Sequence, residues 1–248
     1  MQQFFVKPEQ IEEHTIYIGG ADVNHMKNVL RMKPGEDLRV NSGEGKTYLC
    51  CVSSYEDDRA LLDILKVMDS DTELPSRIVL FQGLPKGDKM DWIVQKAVEL
   101  GAYSIVPFAA KRSVVKLDEK KAAKKQARWQ AIAKGAAEQS GRSMIPEVKN
   151  AVTFAEALEL SEDLDILLIP YELEEGIKET ARVIDTIRAG HSVGIFIGPE
   201  GGFEEEEVER AKAAGAHAVT LGKRILRTET AGLTALSILM YHLESRNA

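Results

Sequence analysis

The rhythm of apolar and polar positions changes near residue 75. Before that point the apolar residues come in short runs. Tyr48-Leu49-Cys50-Cys51-Val52 and Ala60-Leu61-Leu62-Asp63-Ile64-Leu65 are two of them, and Pro34-Gly35 and Ser42-Gly43-Glu44-Gly45 supply turn signals. Short apolar runs between such residues predict strands. One short helix is expected after Asp22, with Val23, Met26, Val29 and Leu30 on one face, the spacing of an amphipathic turn. These elements describe a small, mostly β domain over residues 1–72. The segment Ser70-Asp71-Thr72-Glu73-Leu74-Pro75-Ser76 is polar and carries a proline, as linkers do.

Beyond the linker, strands and helices alternate over residues 73–248. Arg77-Ile78-Val79-Leu80-Phe81-Gln82 reads as a strand. Asp88 can cap a helix whose core face is Met90, Ile93, Val94, Ala97 and Val98, with Gly101 at its end. Ser104-Ile105-Val106-Pro107-Phe108 is the next strand, followed by a helix from about Glu119 to Gln139 with Trp129, Ile132, Ala133, Ala136 and Ala137 inward. Asp165-Ile166-Leu167-Leu168-Ile169 and Val193-Gly194-Ile195-Phe196-Ile197 are continuous apolar runs, the pattern of parallel strands covered on both faces. A helix over 204–214, a strand over 216–221 and a final helix from about Thr230 to Leu243 complete the chain. Such alternation predicts an α/β domain with a mostly parallel sheet.

Composition narrows the setting. With 248 residues, 44% of them hydrophobic, the chain can bury one large core or two modest ones. The amino-terminal Met1-Gln2-Gln3-Phe4-Phe5 has no basic stretch before an apolar one, so no signal peptide is expected. No apolar run reaches the roughly 18 residues of a membrane span. Cys50 and Cys51 are the only cysteines, too few for a disulfide framework and consistent with a reducing cytoplasm. The net charge of −7 is unevenly spread: residues 77–149 hold 15 Lys and Arg against 7 Asp and Glu. A local basic field, rather than net charge, is what attracts phosphate. The lysines at 120, 121, 124 and 125 are equally well explained as one solvated helix face.

Three loops follow the last three strands: Pro170-Tyr171-Glu172, Gly198-Pro199-Glu200-Gly201-Gly202-Phe203, and Gly222-Lys223-Arg224-Ile225-Leu226-Arg227-Thr228-Glu229-Thr230-Ala231. Ligands of open α/β sheets gather outside the carboxyl ends of strands, and glycines let backbone approach a ligand closely. Gly201-Gly202 alone fits a plain strand-to-helix turn, and glutamates 204–207 fit first-turn acids favoured by the helix dipole. Arg224, Arg227 and Glu229 lie between an apolar strand and an apolar helix, and need each other or a charged ligand there. A complete dinucleotide fingerprint, a Walker loop and a Gly-x-Ser-x-Gly elbow are all missing. Histidines 14, 25, 191, 217 and 242 have no ligand spacing, so no metal is expected.

The second and third loops together closely resemble the 16S ribosomal RNA uridine N3-methyltransferase family (RsmE), one of the SPOUT, or trefoil-knotted, methyltransferases. Lys86-Gly87-Asp88-Lys89-Met90-Asp91, Lys96-Ala97-Val98-Glu99-Leu100-Gly101, Arg112-Ser113-Val114-Val115, Ala136-Ala137-Glu138-Gln139-Ser140-Gly141-Arg142, and His25 with Val29-Leu30-Arg31 carry the resemblance along nearly the whole chain. It implies a PUA-like RNA-binding β-barrel over 1–72 and a knotted α/β methyltransferase domain over 73–248. It also implies a homodimer, and N3 methylation of a uridine in the decoding region of the small ribosomal subunit. S-adenosyl-L-methionine is then expected among Pro170, Tyr171, Ile197, Gly198, Pro199, Glu200, Gly201, Gly202, Leu221, Gly222, Ile225, Leu226 and Thr230. His25, Arg31, Lys86, Lys89, Arg112 and Arg142 are the expected RNA contacts. Arg224 or Arg227 would stabilise charge on the uracil, and Glu229 would take the N3 proton or orient an arginine. A non-catalytic RNA-binding assembly factor and a ribose 2′-hydroxyl methyltransferase are the alternatives.

Overall fold

The structure, a computed structural model, describes residues 1–43, 45–113, 119–171 and 176–247. Glu44, Val114, Val115 and Glu172 of the sequence expectations lie outside these. Contacts divide the chain into two compact units. One is Met1–Glu73 with Ala137–Ile145, and the other is Leu74–Ala136 with Pro146–Ala248.

The first unit is a five-stranded sheet. Its strands are β1 (Gln2–Phe5), β2 (Thr15–Gly19), β3 (Asp37–Asn41), β4 (Lys46–Glu56) and β5 (Arg59–Asp69), in the order β1-β3-β4-β5-β2. Only β1 and β3 pair in parallel. Alternate residues turn inward as a pleat requires: Phe4 and Val6, Ile16 and Ile18, Leu38 and Val40, Cys50 and Val52, Ala60 and Leu62 are all buried. The short helix α1 (Ala21–Asn24) runs into a π-helical turn over His25–Val29. There the amide of Leu30 donates to the carbonyl of His25, five residues back (2.9 Å). This wider turn overturns one sequence expectation. Val23 and Met26 are buried, but Val29 is rotated out and 62% exposed, because a 3.6-residue period no longer applies. Arg31 ends the turn with a left-handed φ of 55°.

The Ala137–Ile145 stretch is held to this sheet by polar bonds. Gln3 Nε2 and Asn41 Nδ2 donate to the Arg142 carbonyl at 2.6 and 3.3 Å. Arg142 is only 4% exposed. Its Nε and Nη2 meet the Glu73 carboxylate, which also accepts from the Ser143 amide at 2.9 Å.

The second unit carries β6 (Arg77–Gly83), α2 (Lys89–Glu99), β7 (Ser104–Ala109), α3 (Glu119–Ser140) as far as Ala136, β8 (Glu147–Val148), β9 (Val152–Thr153) and α4 (Phe154–Glu159). It continues with β10 (Ile166–Pro170), α5 (Ile177–Thr186), β11 (Ser192–Ile197), α6 (Glu205–Ala213), β12 (Ala216–Val219) and α7 (Thr228–Asn247). The sheet order is β12-β10-β11-β6-β7-β8, with β9 also beside β7. Every pairing in it is parallel. The predicted inner face of α2 is buried at all five positions. Phe81, Phe108, Phe154, Phe196 and Phe203 form the centre of one core, with Phe81 stacked on Phe196 at 4.3 Å. Phe203 comes from the loop after β11 and lies parallel to Phe108, so the core itself anchors one end of that loop. Among the described residues, no helix is long and apolar enough to cross a membrane.

Candidate active site at the strand ends

The carboxyl ends of β10, β11 and β12 meet around a cavity of about 450 Å³, within the usual range for small-molecule sites. Pro170 and Tyr171 wall one side, and Ile197, Gly198, Pro199, Glu200 and Gly202 another. Leu221, Gly222, Arg224, Ile225, Leu226 and Arg227 close the third. The structure thus brings most of the predicted cofactor residues together. Gly201 and Thr230 stand apart. The space a Gly201 side chain would take faces the Arg112 Cβ, 3.0 Å away. Thr230 faces a groove on α7 with Leu233, Thr234, Ser237, Ile238 and Tyr241.

Side-chain bonds hold these loops open. The Thr228 hydroxyl donates to the Gly198 carbonyl (2.6 Å) and accepts from Gln82 Nε2 (2.9 Å). This ties the start of α7 to the end of β11. β12 stops at Val219 rather than Leu221. The Thr220 amide and carbonyl bond instead to the Thr180 hydroxyl of α5, at 3.0 and 3.1 Å, and Thr220 and Leu221 are freed to line the cavity. At Gly83 a Cβ would stand 2.7 Å from Pro199, so only glycine lets the second loop lie this close to β6. Gly202 (φ 68°) and Gly222 (φ 114°) line the cavity in left-handed backbone, and a Cβ at either would meet no protein atom within 4 Å.

Outer clamps explain residues that the sequence placed on RNA or on the helix dipole. Arg112 donates to the Gly201 carbonyl (3.0 Å) and to Glu204 (2.9 Å). Glu207 is buried, capping α6 through the Glu204 amide and accepting from the Lys111 amide, both at 2.9 Å. Glu200 accepts from the Lys86 amide at 3.1 Å and from Lys89 Nζ at 2.8 Å. Burial pushes the Glu200 carboxyl upward, but those bonds prevail and hold it below the ordinary carboxylate range. Lys89 lines the cavity, and its ammonium is raised, chiefly by the bond to Glu200. Glu229 meets Lys89 at 3.4 Å. Among the described residues neither Arg224 nor Arg227 forms an ion pair with it; its ion-pair partner is the lysine. Thr220, Thr228 and Gln82 were missed as site residues, and Lys89, expected on RNA, lines the cavity. The first three sit at strand or helix ends beside predicted residues, and only their position could have pointed to them. His25, Arg31 and Lys86 are exposed. Arg142 is not, and its buried pair with Glu73 leaves it no face toward a phosphate.

Family models match in two places: an RNA methyltransferase PUA domain over residues 18–65 and an RNA methyltransferase domain over residues 72–240. The ribosomal RNA small subunit methyltransferase E of Bacillus subtilis (strain 168) is 42% identical, over 98% of both chains. The chain belongs to the ribosomal RNA small subunit methyltransferase E family. A crystal structure of the Neisseria gonorrhoeae member bound to S-adenosyl methionine superposes with a TM-score of 0.84 at 38% identity, covering 97% of each chain. A putative methyltransferase from Legionella pneumophila, also in complex with that cofactor, gives 0.84 at 32% identity over 96% of each. Methyltransferase E relatives therefore share the whole of this architecture, from the small PUA unit to the strand-end loops.

The cavity's own chemistry fits that cofactor. Its apolar walls (Ile197, Leu221, Leu226) suit an adenine and a thioether chain, and the room beside Gly202 and Gly222 is free of side chains. Among the described residues, no group of three His, Cys, Asp or Glu is placed to hold a metal ion.

Proposed function

We propose that this chain transfers the methyl group of S-adenosyl-L-methionine to N3 of a uridine in the decoding region of 16S ribosomal RNA, in the cytoplasm and as a knotted homodimer. The observation that carries this reading is the strand-end cavity, built from the family's loops in a chain closely similar to relatives solved with the cofactor. When bound, the cofactor supplies a methyl already activated on sulfonium, so the chain's residues need only position the base and handle its proton. Deprotonation of N3 spreads charge over O2 and O4. Arg224 and Arg227, on the cavity wall, are placed to stabilise it as it develops. Glu229 serves the proton. The base must leave its stack to enter. Ile225, 83% exposed between the two arginines, gives the entrance an apolar lip. His25, Arg31 and Lys86 contribute phosphate contacts, with residues 1–72 as the RNA-binding domain.

The dimer reading draws support from α7, where Tyr241 and Ile238 are exposed beside an apolar groove of about 460 Å³. Light scattering should return twice the chain mass, and a monomer at working concentration would reject it. The function is tested in cells by mass spectrometry of 16S nucleosides with and without this gene. Loss of N3-methyluridine on deletion is expected. Loss of a 2′-O-methyl nucleoside instead would favour the ribose methyltransferase alternative, and no change would favour the assembly factor.

A further inference from the structure

Gln82 lies near the end of β6 and is 0% exposed. Its Nε2 donates to the Gly83 carbonyl (3.0 Å) and to the Thr228 hydroxyl (2.9 Å). Its Oε1 is buried and takes no hydrogen bond among the described residues. Turning the amide over would set an oxygen against the Gly83 carbonyl and take both donors from their acceptors, so the partners fix its orientation. An unpaired buried amide oxygen costs stability, and an apolar side chain of similar size would not carry that cost. What the amide supplies is two directed donors.

One of those donors sets the direction of a proton at the cavity. A hydroxyl has a single proton to give. Thr228 gives it to the Gly198 carbonyl at 2.6 Å, because the group facing it from Gln82 can only donate. Residue 199 is proline, so the Gly198–Pro199 peptide has no N–H, and its carbonyl is the one group through which a hydrogen bond can hold that plane. Gly198, Pro199 and Thr228 line the cavity. Gln82 stands behind them, beside the glycine against which Pro199 packs.

We propose that Gln82 is a positioning residue of the methyl-transfer site: by donating to Thr228 it keeps that hydroxyl's proton on the Gly198 carbonyl, and so holds the second loop in the form that receives S-adenosyl-L-methionine. This rests on the methyl-transfer reading above.

The test compares wild type, Gln82→Met, Gln82→Glu, Thr228→Val, Thr228→Ser and the double variant Gln82→Met with Thr228→Val. Each is followed by denaturant unfolding, by calorimetry with S-adenosylmethionine, and by methyl transfer to small-subunit particles from cells lacking the gene. Gln82→Met removes both donors. It should weaken cofactor binding about 3- to 10-fold, the size of one hydrogen bond, and raise the KM for cofactor by the same factor, with KM for the particle unchanged. Gln82→Glu, at a pH where the carboxyl is charged, keeps the shape but offers Thr228 an acceptor. It should draw the proton off Gly198 and weaken binding at least as much. Thr228→Val should match Gln82→Met, and Thr228→Ser, which keeps the hydroxyl, should bind close to wild type. The double variant should bind no more weakly than Thr228→Val, because the amide acts through the hydroxyl. A lowered denaturant midpoint with wild-type cofactor affinity would make Gln82 a core residue only and overturn the proposal. Thr228→Ser as weak as Thr228→Val, or a further loss in the double variant, would overturn it as well. If one Gln82 single variant fails to fold, the other carries the test; unfolding of both would make Gln82 a folding residue and overturn it. An inactive wild type would overturn the methyl-transfer reading, and the proposal with it. An active wild type with unaffected Gln82 variants would overturn the proposal alone.

Discussion

Arg142 in the small unit and Lys89 in the large one are both cations beside carboxylates, and both come from the basic middle of the sequence. Arg142 is closed. Its guanidinium is spent on Glu73, Glu73 is further bonded by the Ser143 amide, and the Arg142 carbonyl is taken by Gln3 and Asn41. Lys89 is open. It bonds Glu200 at 2.8 Å, meets Glu229 at 3.4 Å and still lines the wall of a cavity. A buried ion pair joins segments of chain, whereas one at a cavity wall also faces the space a ligand takes. The same contrast runs through the two units. The small sheet closes on Phe4, Ile16, Leu38 and Leu62, while the loops after β11 and β12 of the large one carry Gly198, Gly202 and Gly222 and leave room.

The largest effect should come from breaking the closed node. Arg142→Ala removes one partner of a buried pair and should cost about 3–5 kcal/mol of stability, read as a fall in the denaturant midpoint. Any loss of RNA affinity should follow unfolding. A fully stable variant with a salt-dependent RNA defect would make Arg142 a phosphate contact after all.

Next comes the approach of the second loop to β6. Gly83→Ala sets a methyl against Pro199 at 2.7 Å. Overpacking of this kind costs about 1–3 kcal/mol, roughly 5- to 150-fold if it falls on cofactor affinity. Calorimetry showing unchanged binding would mean that the loop yields freely.

A smaller effect concerns acid. The Glu200 carboxyl is held low in the folded chain, so its clamp is in place above the ordinary glutamate range and is lost as pH falls through the lowered value. Cofactor affinity should therefore stay level near pH 4.3, where a free glutamate titrates, and weaken only below it. A midpoint at the free value would show that Lys89 and the Lys86 amide do not hold Glu200 in solution.

The smallest effect probes the closed interior of the small sheet. Burial, with lesser help from Asp63 and Cys51, pushes the Cys50 thiol up to about 12. An alkylating reagent at neutral pH should label half-buried Cys51 and spare Cys50. Labelling of both in the native protein would show that this core opens.

Much of this was legible in the sequence wherever one period held. The face of α2 and the β10 and β11 runs are set by burial alone. Val29 was misplaced because a π turn changes the period without changing composition. α4 was passed over although Thr153 and Glu156 form a capping box, with the Glu156 amide donating to the Thr153 hydroxyl at 3.2 Å. That signal spans only four residues and lacks a long apolar stripe behind it. α5 was missed as well; it begins after Gly176 and buries only Thr180 and Val183. In the site, the loops were readable because glycines and strand ends mark them. The destinations of Lys89, Arg112 and Arg142 were not, since a cation's partner is fixed by folding rather than by spacing.

The central claim is that the strand-end cavity transfers a methyl to uracil N3. It is tested most directly by incubating the purified protein with labelled S-adenosylmethionine and small-subunit particles from cells lacking the gene, then digesting the 16S RNA to nucleosides. The account predicts label in N3-methyluridine, with Arg227→Ala binding the particle normally but losing turnover by about 100- to 1,000-fold. Label in a ribose-methylated nucleoside, or no label from a protein that binds the particle, would contradict it.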